Sequence, residues 1–484
     1  MSNLSELLPA GAGAKSAEFV ASGTLSSGQT VVLNSDGTVS SVNPLGPPVV
    51  GSSVVFEVAD TAFPSSAFDS NSNKVVIAYR DQGNSFYGTA VVGTVSGTSI
   101  TFGTAVVFES AEIFYTATTF DSDSNKIVIA YEDRGNVNRA TAIVGTVSGT
   151  SISFGSAAEI PSVRLAYPSA TFDSNSNKVV IAFQDASSSN YGKAVVGTVS
   201  GTSISFGGDV TFDTANSNSI SATFDSNLNK VVIAYRDSDN FSYGNAVVGT
   251  VSGTSISFGT VVVFNSASTF PSAIFDSNSN KVVIAYSGDG GNSSFGNAVV
   301  GTVSGTSVSF GSPTVFAVPS GVSGIFGPVA AFDSNSNKVV IAYSGGGVPN
   351  YARAVVGTVS GTSTTFGTAV VFESAAISYL STVFDPVASK VIFSYADVGN
   401  SSYGTSTIFQ ATSTNSADFI GITDQAIADT ATGAVIVQGG VSEKVTGLTT
   451  GSDYYVQDDG SLSTTVSSVP AGRALSSTSI LLEG

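Results

Sequence analysis

The chain has no cysteine, no histidine, no tryptophan and a single methionine in 484 residues. Without His and Cys it cannot assemble a Ser-His-Asp triad, a thiolate nucleophile or an imidazole- or thiolate-bound metal site. A chain without thiols also carries no mark of its redox compartment. Positive charge is scarce, with 17 Lys and Arg against 35 Asp and Glu and a formal charge of −18, so no basic face for nucleic acid is expected. Long apolar runs are missing too. Residues Met1 to Pro9 have neither a basic nor an apolar signal-peptide region, and the expectation is a chain with no obvious export signal and no membrane insertion. What remains is 42% hydrophobic and only 11% charged, which supplies a large core under a surface of Ser, Thr, Asn and Gly.

Internal repeats decide the architecture. Phe-Asp followed by a polar turn and a β-branched run recurs at Phe68, Phe120, Phe172, Phe224, Phe275, Phe332 and Phe384, with spacings of 52, 52, 52, 51, 57 and 52. Each repeat reads as four strands: a short one ending at Phe-Asp, a second such as Lys74 to Tyr79, a third such as Ala90 to Val95, and a fourth such as Ser99 to Phe108. Asp-Ser-Asn-Ser-Asn-Lys suits the first turn, because its side chains cap their own backbone. The second strand is apolar throughout, as expected of a strand covered on both faces. Units of about 50 residues with four strands each indicate a β-propeller, here an all-β, seven-bladed one. The seventh repeat ends after its third strand, Tyr403 to Ala411. A matching fourth strand, Val50 to Glu57, precedes the first repeat and aligns with Phe102 to Glu109. A last blade built from both chain ends would close the ring and remove a free edge.

This divides the chain into an N-terminal arm and β segment at 1–48, the propeller at 49–412 and a C-terminal β segment at 413–484. The first has β-rich runs at Glu18 to Val20 and Thr30 to Leu33 with an Asn-Ser-Asp-Gly turn at 34–37. The last has them at Ala434 to Val437, Asp453 to Gly460 and Ser479 to Leu482. The two ends together are expected to form one small β domain, with the first dozen residues as a flexible or docking arm.

The runs Ala417 to Ile422, Gly447 to Gly451, Tyr454 to Val456, Asp459 to Leu462 and Ala471 to Leu475, with Glu18 to Gly23 and Val31 to Val39, resemble modules of structural and tail-fibre-like proteins of marine bacteriophages. That resemblance implies a virion appendage protein. Its partners would be other virion proteins and a host-surface glycan or receptor, and trimers are expected at the terminal domain. The propeller units themselves are similar to repeats of bacterial surface proteins.

Within the repeats, the first-to-second and third-to-fourth turns share one face and are nearly copies. Gly-Thr-Val-Ser-Gly-Thr-Ser begins at Gly93, Gly145, Gly197, Gly249, Gly301 and Gly357. On the opposite face nothing repeats cleanly. Its connections include Arg80-Asp81-Gln82-Gly83, Glu112-Ile113-Phe114-Tyr115, Val163 to Tyr167, Ser287 to Asn292, Val318 to Phe326 and Ile377 to Leu380. Divergence confined to one face suggests ligand reading there. Phe114, Tyr115, Tyr167, Phe270, Phe326 and Tyr379 would offer exposed stacking surfaces, and Arg80, Asp81, Arg164 and Arg236 hydrogen bonds. The competing reading is contact with a neighbouring virion protein, in a decoration or connector role.

Two patterns imitate chemistry. Asp69, Asn71 and Asn73 copy half of a calcium loop but lack its glycine and distal Glu, and turn formation explains their recurrence. Asp81, Asp133, Asp185, Asp237 and Asp397 could in principle pair for glycoside hydrolysis, but equivalent residues in symmetric repeats read more simply as a repeat feature. The reading is thus a non-enzymatic glycan or receptor binder with no cofactor and no metal. A lectin-like bacterial adhesin is a further alternative.

Overall fold

The computed structural model describes residues 15–34, 36–42, 48–161, 164–288, 295–318, 324–345, 351–411, 418–457, 460–464 and 469–483. The first dozen residues, Val163, the stretches 289–292 and 319–323, and Asp458 with Asp459 lie outside them. The chain divides into two units, Val49–Ala411 and the pair of ends Met1–Pro48 with Thr412–Gly484.

The larger unit is all-β and antiparallel. In the first repeat Lys74–Asp81 pairs on one side with the strand ending at Asp69 and on the other with Tyr87–Ser96. The same meander recurs behind every Phe-Asp. Each Phe-Asp turn is held by its aspartate, whose Oδ1 accepts the N–H groups two and three residues on. In the first repeat these are Asn71 (2.9 Å) and Ser72 (3.1 Å), and in the last Val387 and Ala388 (both 2.9 Å). The calcium-like pattern is therefore a turn cap here, its acidic oxygen already committed to backbone donors.

The fourth strand is not the single run Ser99 to Phe108 that its sequence suggests. Ser99–Phe102 and a segment beginning at Val106 both pair with Tyr87–Ser96, and Gly103 interrupts them. A Cβ on Gly103 would lie 1.8 Å from the carbonyl oxygen of Thr150 in the following repeat, so the break is where neighbouring repeats touch backbone to backbone. The second segment then runs on without a loop, as Val106–Asp121, into the first strand of the next repeat.

The last repeat receives its outer strand from the other end. Tyr403–Gln410 pairs with Val49–Val50 and with Val54 to Asp60 at the start of Val54–Asp69. Gly51 in that segment repeats the close approach, a Cβ there standing 1.9 Å from the Thr98 carbonyl oxygen.

Burial follows the alternation of the second strand. Val76 and Ala78 pack with Ile127, Ile129 and Tyr131 of the second repeat. Val75, Ile77 and Tyr79 pack with Ile392 and Ile408 of the seventh. Each such Ile or Val is worth about 1.5–3 kcal/mol when fully buried. The strands ending at Phe-Asp are neighbours from repeat to repeat, and the one ending at Asp385 neighbours the one ending at Asp69. Five of these seven contacts carry a side-chain hydroxyl accepting a backbone N–H. The donors and acceptors are Thr118 to Ser65 (2.9 Å), Ala222 to Ser169 (2.9 Å), Ala273 to Ser221 (2.9 Å), Ala330 to Ser272 (3.0 Å) and Ser66 to Ser381 (3.1 Å). Ala117 and Val329 hold the equivalent positions at the other two contacts and have no hydroxyl to offer.

The smaller unit has two five-stranded sheets. Ser16–Val20, Thr432–Val437, Phe419–Thr423, Thr30–Leu33 and Val39–Ser41 form one, interleaving the chain ends. Val441–Ser442, Ile480–Leu482, Pro470–Ala474, Asp453–Val456 and Leu462–Ser463 form the other. One apolar core of Val32, Ile422, Leu448, Tyr454, Val456 and Ile480 joins residues of both.

Candidate functional site

The varied face of the repeat unit is built around a β-bulge near the start of the first strand in six of the seven repeats. Ala62 pairs with Arg80 and Ser65 with Ala78, so that Phe63 and Pro64 stand opposite Tyr79 alone. Such a two-against-one insertion re-aims a side chain. The same irregularity places Tyr115, Tyr167, Ser219, Gly327 and Tyr379 at equivalent positions. All six have positive φ, between 48° and 53°. The fifth repeat has no bulge, since Phe270 pairs with Ser287 and Pro271 with Tyr286, and the 51-residue spacing is the trace of that missing residue.

Positive φ suits Gly327 but strains an aromatic residue, at about 1–3 kcal/mol each. Four repeats nonetheless place an aromatic ring there, and those four are neighbours. Phe63 lies 4.6 Å from Tyr379, 4.7 Å from Phe114 and 5.0 Å from Tyr115 between ring centroids. Tyr115 lies 5.2 Å from Tyr167. The rings form a continuous crescent across repeats seven, one, two and three, with Tyr379 and Tyr167 at its ends, 47% and 40% exposed. Burial pushes the Tyr115 hydroxyl pKa up, and a hydrogen bond with Tyr167 adds to the rise.

The sequence-predicted residues divide sharply. Tyr115, Tyr167 and Tyr379 are brought together in the crescent, where Tyr115 is half-buried between its neighbours, not exposed. Phe114 is half-buried beneath it, not exposed, because the guanidiniums of Arg80 and Arg134 stand 4.9 and 4.1 Å from its ring centroid. Phe270 and Phe326 are exposed, but they pair with Ser287 and Ser344, at the position that Ala62 holds against Arg80, and make no ring contact with the crescent among the described residues. Arg80 is buried and bonds Glu112 at 2.8 Å. Arg164 bonds the buried Glu132 at 3.1 Å, and Gln184 bonds Asn216 at 2.9 Å. These are one contact in three repeats, always 32 residues apart, with the charges reversed between the first and second. Arg236 hydrogen-bonds Ser242 at 2.8 Å and stands 4.9 Å from the Phe270 ring, as Arg80 does from Phe114. Part of the variation on this face is therefore pairing between neighbouring repeats, and not surface offered to a ligand. The run Glu112 to Tyr115 is likewise strand, not loop.

Asp81 is buried, and its Oδ1 accepts the Asn84 N–H at 3.1 Å. Asp133, Asp185 and Asp237 close their turns in the same way. These four acids thus serve loop geometry, while Asp397 makes no such cap. Burial raises the pKa of Asp81, Asp237 and Asp397, and a carboxylate neighbour, respectively Glu57, Asp213 and Glu373, raises it further. Asp185 is the exception. Its burial is outweighed by bonds from Lys193 (2.7 Å) and Ser187, which leave its pKa lowered.

Sequence reasoning missed Phe63, the centre of the crescent. Its signal is positional, five residues before the Phe of Phe-Asp, where Tyr115, Tyr167 and Tyr379 also fall. No group of three or more metal-binding side chains occurs among the described residues.

No protein-family model matches the chain, and no curated protein matches it. Solved structures do. The BP39L lectin of Burkholderia pseudomallei is 12% identical with a TM-score of 0.55, over 74% of this chain and 98% of that one. A NanB complex with Optactamide (10% identity, TM-score 0.42, 78% and 71% coverage) and a mutant of AofleA from Arthrobotrys oligospora (8%, 0.40, 70% and 93%) are more distant. The likeness to the lectin is one of fold.

Proposed function

We propose that residues 49–411 form a seven-bladed β-propeller that binds a glycan, without catalysis, on the aromatic crescent of Phe63, Tyr115, Tyr167 and Tyr379. The observation that carries this reading is the set of adjacent rings held at positive φ. Strain of that kind persists where the side chain is needed, and rings side by side, exposed at Tyr167 and Tyr379 and half-buried between them, suit the apolar faces of sugar units. The ring of seven is supported by the packing of the seventh repeat on the first and by the matching approaches of Gly51 and Gly103. The fold likeness to a lectin agrees with a sugar ligand. Asp81, Asp133, Asp185 and Asp237 are spent on turns, and Glu112 and Glu132 on arginines of neighbouring repeats, which favours binding over hydrolysis.

The test is adhesion of the purified chain to candidate host cells before and after enzymatic removal of surface glycans. Binding that disappears on stripping, and that Tyr115→Ala with Tyr167→Ala abolishes, is the expected result. Adhesion unaffected by either change would contradict it. The phage-like terminal segments support a place on a virion appendage, which predicts recovery of the chain from purified particles by mass spectrometry. Recovery from bacterial envelopes alone would assign it as a surface adhesin.

A further inference from the structure

Beside the crescent the structure gathers positive charge in a chain that has little. Six of its seven arginines fall within 49–411, and all six lie at the end of the strands that carries the crescent. The lysines that open the second strands, from Lys74 to Lys390, lie at the other end. Arg80 and Arg134 flank the ring of Phe114 and share one oxygen of one carboxylate, Glu112 Oε1, at 2.8 and 3.2 Å. The neighbouring Glu132 is matched by Arg164. Three guanidiniums thus meet two carboxylates in direct contact, so Arg134 has only a share of one. Asp81 and Asp133 nearby accept N–H groups of their own turns. The Nε of Arg80 and of Arg134 has no acceptor, although Arg80 is 92% buried. Arg134 is a third exposed at its side chain and close enough to bear on the Tyr115 hydroxyl electrostatically. Among the second-to-third connections an arginine stands at this place only in the second repeat. Gln82, Ala186, Ser238 and Val398 hold it in others.

We infer that the crescent takes a sugar bearing a carboxylate, with Arg134 receiving that group and Arg80 with Glu112 holding Arg134 in place. This rests on the glycan reading above and narrows it. A guanidinium fork matches a carboxylate in shape and charge, which an ammonium does not. The net charge of −18 does not forbid an anionic ligand, because charges beyond about 8 Å are largely screened at physiological salt.

The experiment is calorimetric titration of the full chain with a panel of uronate- and sialate-bearing oligosaccharides, each beside its methyl ester. At least one acid is expected to bind about tenfold or more tightly than its ester. Arg134→Gln should bring the two to equal affinity without lowering the melting temperature, while Tyr167→Ala should weaken both. Equal binding of every acid and its ester, or a preference that survives Arg134→Gln, overturns the inference and leaves the crescent as a neutral-sugar site. If neither acids, esters nor a parallel set of neutral oligosaccharides bind, the crescent reading itself falls, and this inference with it.

Discussion

The two ends of the repeat unit are made by the same strands and differ in what their residues are asked to do. At one end the fold dictates the residues. Asp69 and its counterparts cap turns, Asn73 and its counterparts adopt φ of 53–56°, and Gly103 and its counterparts let repeats touch, so the copies stay alike. At the other end six of the seven repeats share only a bulge. What fills it ranges from Gly327 to Tyr379. Divergence alone is therefore a poor guide to function. Arg80 with Glu112 and Arg164 with Glu132 differ because neighbours must match, whereas the four adjacent rings are held at positive φ at a standing cost.

The comparison breaks most visibly at the seam. Deleting residues 49–58 removes the outer strand of the seventh repeat and the Gly51 contact, and cooperative thermal unfolding should be lost or shifted far down. A melting curve like the parent's would refute the pairing of the two ends. At the uniform end, Asp173→Ala removes the acceptor of the Asn175 and Ser176 N–H groups and should cost about 1–3 kcal/mol, read by chemical denaturation, with ligand binding intact. At the varied end the expectation inverts. Tyr167→Gly relieves positive φ and should leave stability equal or raised by about 1 kcal/mol while binding falls. Loss of both together would make Tyr167 merely structural.

The smallest effect is that of pH. Asp81, Glu109, Asp237 and Asp397 have carboxyl pKa values raised by burial and then by a neighbouring carboxylate. The folded state therefore holds protons that the unfolded chain has released, and stability should rise as pH falls from neutral toward those raised values. Asp185, lowered by Lys193 and Ser187 despite its burial, works in the opposite sense at lower pH. A melting temperature that drops between neutral and mildly acidic pH would contradict this sign.

Much of the fold was legible because its signals are local. Phe-Asp, the capping turn and the apolar second strand each sit within a dozen residues, and the matching of Val50 to Glu57 with Phe102 to Glu109 is a direct alignment. The bulge is not local in that sense, because it is defined by a partner strand. The 51-residue spacing recorded its absence without saying so. The site was legible in kind, since three of its four rings stood among the sequence candidates. Phe63 escaped because it lies in the segment shared by the first repeat and the donated strand, and Arg80 reads as a ligand hydrogen-bond donor because its partner Glu112 is 32 residues away.

Sugar binding by the adjacent strained rings has a direct reporter in this chain, which has no tryptophan and 16 tyrosines. Titrating the full chain with glycans that it retains on an array, and following tyrosine emission, should show a saturable change that Tyr115→Ala with Tyr167→Ala removes while the melting temperature holds. Unchanged binding in that variant, or an array on which the wild-type chain retains no glycan, would contradict the account.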